Sequence, residues 1–166
     1  MILLMLVQAV YFILPAYFAN MAPLIFKKVP FLNFVISKKY FGDHKTYRGV
    51  FFAIVLAIII SYIQYKIDID INIDYKYWLF IGILMGTGAM VGDLVESAVK
   101  RKMKIKPGNP FFPFDQIDFI LGALIFVSFL EIPPIHIWII CLLVTPILHL
   151  ATNFIAFKLK IKDVKH

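Results

Sequence analysis

Residues 92–118 read GDLVESAVKRKMKIKPGNPFFPFDQID. An apolar run from Tyr77 to Val99 leads into them, and a second, from Phe111 to Leu130, leads out. Each run is close to the about 20 apolar residues that a helix needs to cross the hydrocarbon core of a bilayer. The stretch therefore closes one membrane helix and opens the next, with its charge concentrated at a membrane surface.

Working outward, three more runs are long and apolar: Ile2–Met21, Val50–Tyr65 and Ile135–Phe157. The chain has 166 residues, of which 61% are hydrophobic, and its mean hydropathy is +0.86. A soluble domain of this size has too little interior to hide that much apolar surface. The expected architecture is an all-α integral membrane protein with five transmembrane helices, forming a single transmembrane domain over residues 1–166. The first run lacks a basic leader and a cleavage site, so it reads as a permanent span rather than a signal peptide. Cys141 is the one cysteine, which excludes an intrachain disulfide. No internal repeat or low-complexity segment is evident.

Five spans place the termini on opposite sides, and basic residues choose the sides. Of the 17 Lys and Arg, all but Lys66 and Lys76 fall in residues 27–48, residues 100–106 or the C-terminal tail. The N-terminus is expected outside and the C-terminus in the cytoplasm, with cytoplasmic loops at about 23–49 and 100–114. The net charge of +7 then reflects topology rather than a nucleic-acid partner. On the outer side, KIDIDINIDYK (66–76) reads as a short extended or frayed segment and EIPP (131–134) as a tight turn.

Asp93, Glu96, Ser97, Lys100 and Arg101 stand at i, i+3, i+4, i+7 and i+8, which makes one face of a helix. A Glu96–Lys100 pair and cations snorkelling at the helix end account for part of this stripe. They do not account for Asp93, which lies deeper, where a carboxylate costs about 2.5–3.5 kcal/mol on insertion scales. Such a residue faces the bundle interior and has a partner. Upstream, Gly82-x-x-x-Gly86 and Gly88-x-x-x-Gly92 are patterns for close helix approach. Gly92 either serves that packing or clears room for a ligand beside Asp93.

Asp115 and Asp118 begin the next span at i and i+3. Asp115 is placed to cap the helix; Asp118, one turn deeper, is not. With Asp93 they form an oxygen-rich set suited to Mg²⁺. Neither CxxC nor HExxH occurs, so zinc has no support. The connector KPGNPFFPF (106–114) holds three prolines, which stiffen it. Phe111, Phe112 and Phe114 read as interface anchors or as a stacking surface for a base.

YFGDHKTYRG (40–49) frames Lys45, Thr46 and Arg48 between two glycines, a phosphate grip without the P-loop pattern. His44 receives no role. Asn20, in ANMAP, ends the first span and either caps it or contacts ligand.

GDLVES…KR…K…P…D..D resembles the signature of the CTP:phosphatidate cytidylyltransferase family. PGNPFFPFDQIDFILGA, YFGDHKTYRG and ANMAP resemble its archaeal branch, the CDP-archaeol synthases, over nearly the whole chain. Bacterial members carry His-Gly-Gly ahead of Asp-Arg-x-Asp; here Asn109 to Phe114 replace the former and Gln116 the arginine. The resemblance implies transfer of the cytidylyl group of CTP to 2,3-bis-O-(geranylgeranyl)-sn-glycerol 1-phosphate, with pyrophosphate released. It further implies a multi-pass protein of the cell membrane whose site faces the cytoplasm. Carried over, Asp93, Asp115 and Asp118 hold Mg²⁺ with Glu96 in support, and Lys100 and Arg101 grip phosphates. The expected nucleotide and phosphate contacts are Asn20, Lys45, Thr46, Arg48, Ser97, Lys100, Arg101 and Lys104. The rival readings are a CTP-dependent polyprenol or lipid kinase of the same fold and a small cation or phosphate transporter. The clustering of charge at one face, away from the midplane, speaks against the transporter.

Overall fold

All five apolar runs are helical in the computed structural model, which describes residues 2–67, 69, 74–106 and 109–158, with side chains placed through Leu148. The helices are α1 (Ile2–Ile25), α2 (Lys38–Phe41), α3 (Tyr47–Ile67), α4 (Trp78–Lys102), α5 (Phe114–Val127) and α6 (Ile135–Lys158). A 3₁₀ turn, Tyr75–Tyr77, leads into α4 and is capped by Asp74, whose Oδ1 accepts from Lys76 N at 2.8 Å. Three helical stretches are long and apolar enough to cross a membrane: Ile2–Ile25, Tyr47–Ile67 and Tyr75–Lys102. Helix α5 has only 14 residues, shorter than the expected Phe111–Leu130, because the Pro113 turn and the Ser128–Leu130 turn trim it at both ends. Residues 68 and 70–73 of the 66–76 segment, residues 107–108 and the last eight residues of the tail lie outside the described residues.

Helix α1 does not end at Asn20. It runs through Pro23 to Ile25. Proline removes one donor and leaves the rest of the ladder intact, and an apolar stretch with no water to satisfy freed carbonyls stays helical. Asn20 is therefore not a cap but a side chain projecting from the wall of a continuous helix.

Helix α4 packs against α1, α3 and α5, while α6 closes the bundle against α1 and α5. Small residues make these contacts. Ala9, Ala16, Ala19, Ala22, Ala53, Ala57 and Ala89 are fully buried, whereas large apolar side chains such as Phe80, Ile125, Phe129 and Leu143 point outward. This inversion of a soluble core is the packing expected where lipid is as apolar as leucine. The two glycine pairs of α4 serve different neighbours. A Cβ on Gly82 or Gly86 would strike the α3 backbone at Ile58 and Ile54, whereas one on Gly88 or Gly92 would strike the carbonyls of Gly122 and Asp118 on α5. The Cβ position of Gly92 is thus taken by α5 backbone, although the residue also borders the groove between α4 and α5, and it is this approach that carries Asp118 to Asp93.

The buried polar groups tie helices together. Tyr17 and Thr145 hydroxyls lie 2.8 Å apart between α1 and α6. Gln64 of α3 donates to the Tyr11 carbonyl of α1, and Tyr11 donates its hydroxyl back to the Gln64 carbonyl.

Candidate active site

The segment between α1 and α3 folds back on itself. Val35 bridges Thr46 antiparallel, Ile36 N donates to Lys45 O at 2.9 Å, and Tyr47 N donates to Phe34 O at 3.0 Å. Arg48 completes the clip: its backbone N donates to Leu32 O at 2.8 Å and its guanidinium to Val29 O at 2.6 Å. Gly42, with φ of 84°, ends α2 in a conformation that favours glycine. The clip fixes Lys45 directly above α4.

There Lys45 Nζ donates to both carboxylate oxygens of Asp93, each at 2.5 Å. One turn along α4, Glu96 is buried beside Lys100, whose Nζ lies 3.2 Å from Glu96 Oε1 and 2.8 Å from Asp115 Oδ1. Asp115 accepts a second bond, from Phe111 N at 2.5 Å, so it fastens the proline-rich connector to the head of α5. Asp118 accepts from Phe119 N at 2.7 Å. Arg101 donates to the Ile105 carbonyl and leaves its Nε buried without a partner.

Carboxylate oxygens of Asp93, Glu96 and Asp118 lie within 4.8 Å of one another, the one such group among the described residues. An octahedral ion with bonds of about 2.1 Å spaces its ligand oxygens about 3.0–4.2 Å apart. Small rotations would bring the three into that range. Glu96 Oε1 is paired with the Lys100 ammonium at 3.2 Å, while its Oε2 has only a long contact of 3.5 Å from Ser97 Oγ. The donor set is all oxygen and fits Mg²⁺. Asp115 is not among the three. Its oxygens are engaged by Lys100 and the Phe111 amide, while Glu96, expected as a support, lies with Asp93 and Asp118.

Three cavities meet at this cluster. The first, of about 280 Å³, is polar and is lined by Asn20, Phe41, His44, Lys45, Asp93, Glu96, Ser97, Lys100, Arg101, Asp115 and Asp118. A second, of about 180 Å³, lies behind the Lys45–Asp93 pair and takes in Thr46, Pro23, Gly49 and Met90. The third, of about 370 Å³, is an apolar groove between α4 and α5 walled by residues such as Val95, Val99, Phe114, Leu121 and Ile125. Glu96 and Asp118 border both the polar cavity and the groove. Phe111 and Phe114 stack at 4.8 Å at the groove's mouth.

Asn20, Lys45, Ser97, Lys100 and Arg101 thus stand together around the polar cavity, as the sequence leads one to expect. Thr46, Arg48 and Lys104 do not. Thr46 Oγ1 accepts from Gly49 N at 3.2 Å and faces the second cavity, Arg48 is buried in the clip, and Lys104 is exposed with φ of 59°. Phe41 and His44 line the polar cavity without having been singled out. Their place in the phosphate-grip loop was the available signal.

The model of the CarS-like family, described as CDP-archaeol synthase, matches residues 1–166. Several curated relatives named CDP-archaeol synthase are similar along nearly their whole length. The protein of Methanococcus maripaludis strain C7 is 38% identical, covering 98% of this chain and 98% of its own. That of Methanocaldococcus jannaschii is 36% identical over 96% and 97%, and that of Pyrococcus furiosus 34% identical over 96% and 97%. A solved structure described as an intramembrane enzyme for archaeal membrane lipid biosynthesis superposes with a TM-score of 0.72. It is 26% identical and covers 88% of this chain and 92% of its own.

Proposed function

The chain belongs to the CarS-like family of CDP-archaeol synthases, and from that premise we propose how its residues divide the work of the reaction. The enzyme is a CTP-using cytidylyltransferase that forms CDP-archaeol, joining the cytidylyl group of CTP to the phosphate of an unsaturated diether glycerol lipid. The observation that carries the residue-level reading is the shared wall of Glu96 and Asp118, polar cavity on one side and apolar groove on the other. A nucleotide and a lipid phosphate approached from these two sides meet at the same carboxylates.

An oxygen of the acceptor phosphate attacks the α-phosphorus of CTP. The bond from that phosphorus to the bridging oxygen of the β-phosphate breaks, and pyrophosphate leaves with the electron pair. The attacking phosphate is already ionised near neutral pH, so no general base is needed. The protein must instead hold two anions together in line. Asp93, Glu96 and Asp118 are the residues that would hold Mg²⁺, which supplies charge neutralisation and polarises the phosphoryl group when bound. Lys100 and Arg101 face the departing pyrophosphate and stabilise its charge. Asn20, Ser97 and Lys45 orient the triphosphate. Arg48 and Thr46 act at a remove, by shaping the clip that presents Lys45. The acceptor's chains lie in the groove, which admits them sideways from the bilayer.

Our reading is five spans, with the N-terminus outside and the site at the cytoplasmic surface; the helicity of all five apolar runs and the placement of the basic residues support it. Cysteines placed at Tyr40 and Glu131 should label from opposite sides of a sealed vesicle; labelling from one side would sink this topology.

The assay is pyrophosphate release by purified protein in detergent, given CTP, Mg²⁺ and an unsaturated diether lipid phosphate. Release that requires all three, with a CDP-lipid product, is expected. Release of CDP with a newly phosphorylated lipid would replace this reading with a kinase.

A further inference from the structure

The carboxylate cluster contains a cation of its own. Lys45 Nζ binds both oxygens of Asp93 at 2.5 Å, and the two side chains are 25% and 21% exposed. The Lys45 backbone is pinned by its bond from Ile36 and by the adjacent Val35–Thr46 bridge. Any exchange at Asp93 is therefore a swing of the lysine side chain alone. Lys45 lines both the polar cavity and the smaller one behind it, so the ammonium has room on either side. The other two carboxylates are not closed in this way. Glu96 Oε1 has only the ionic contact with Lys100, and Asp118 takes an amide of its own helix.

We propose that Lys45 is a built-in counter-cation that keeps Asp93 closed to free divalent ions and yields it when a triphosphate offers the ammonium another anion. Metal then enters with the nucleotide rather than ahead of it. Lysine suits this exchange, being a compact point charge on a flexible stem. A divalent ion arriving beside an undisplaced ammonium meets like charge in a half-buried, weakly screened site. A triphosphate relieves that repulsion by drawing the ammonium onto itself. The inference rests on the metal reading above and adds an order of binding to it.

The test is binding of Mn²⁺ alone, by electron paramagnetic resonance, to the purified protein and to Lys45→Met and Lys45→Gln. Each variant should bind Mn²⁺ without nucleotide about tenfold or more tightly than the parent, while its affinity for CTP falls. Adding Asp93→Asn to Lys45→Met should erase the gain. Glutamine keeps a hydrogen bond to Asp93 without the charge, so it carries the test should methionine impair folding. Folded variants that bind Mn²⁺ no tighter than the parent would reduce the ion pair to a structural tie and overturn the proposal. Binding of Mn²⁺ with CTP present, but without any gain in the variants, overturns the exchange alone. No Mn²⁺ binding even with CTP present overturns the metal reading as well.

Discussion

On the proposed reading Asp93, Glu96 and Asp118 do different work from Asp115, although all four are carboxylates within three helical turns of a helix end. The first three converge within 4.8 Å; Asp115 is spent on Lys100 and the Phe111 amide. Asp93→Asn and Asp118→Asn should each lower turnover at least about a hundredfold, the scale on which charge stabilisation by one group is measured, with melting temperature nearly unchanged. Asp115→Asn should instead lower melting temperature, because it leaves the buried Lys100 with a weaker partner and loosens the connector. Turnover and melting curves on the three purified variants separate the two roles, and full activity in Asp93→Asn would remove the metal site. The stripe on α4 was legible from the sequence because helical spacing places side chains on one face of their own helix. What spacing cannot give is the partner across the gap. Lys45 reads as a phosphate ligand with no sign in the spacing that the clip also sets it on Asp93, and Arg48 reads as another although its guanidinium turns to Val29 O.

The pairing of α4 with α5 assembles the cluster, and glycine makes that pairing. Gly92 sits against the Asp118 carbonyl and Gly88 against the Gly122 carbonyl. A methyl group at Gly92 has nowhere to go, because its obstacle is backbone and not a movable side chain. Gly92→Ala should destabilise the protein by about 1–3 kcal/mol. Because the shift separates Asp118 from Asp93, Mn²⁺ affinity in the presence of CTP should fall as well. Thermal unfolding and metal titration check the two halves of that expectation; a fully active, equally stable Gly92→Ala protein would contradict it. The glycine pattern was visible in the sequence, and so were all five helices, since apolar runs of this length leave the backbone no alternative to helix. Which face met which neighbour was not visible. The continuation of α1 past Asn20 was also missed, because a proline that ends a helix in water need not end one in lipid.

Across the whole molecule, the chemistry requires an aqueous substrate and a bilayer substrate to reach one phosphorus-sized space. The bundle meets this with two openings that meet at Glu96 and Asp118 rather than with one large pocket. The groove walls carry exposed apolar side chains, among them Val95 and Ile125 at 56% and 49% exposure, and on the proposed reading these meet the lipid chain and not the nucleotide. A bulky residue there should therefore act on one substrate alone. Val95→Trp or Ile125→Trp fills part of a groove of about 370 Å³ and should raise KM for the diether lipid phosphate about tenfold, the effect of losing one or two buried methylenes' worth of contact. KM for CTP should stay where it is, and a short-chain, water-soluble acceptor phosphate should react with the variants as well as with the parent. Acceptor titrations at saturating CTP, run with both the long and the short acceptor, make the comparison. Equal losses on both acceptors would mean that the groove shapes the site without holding the chain. Unchanged kinetics on the lipid would place the chain on another face of the bundle.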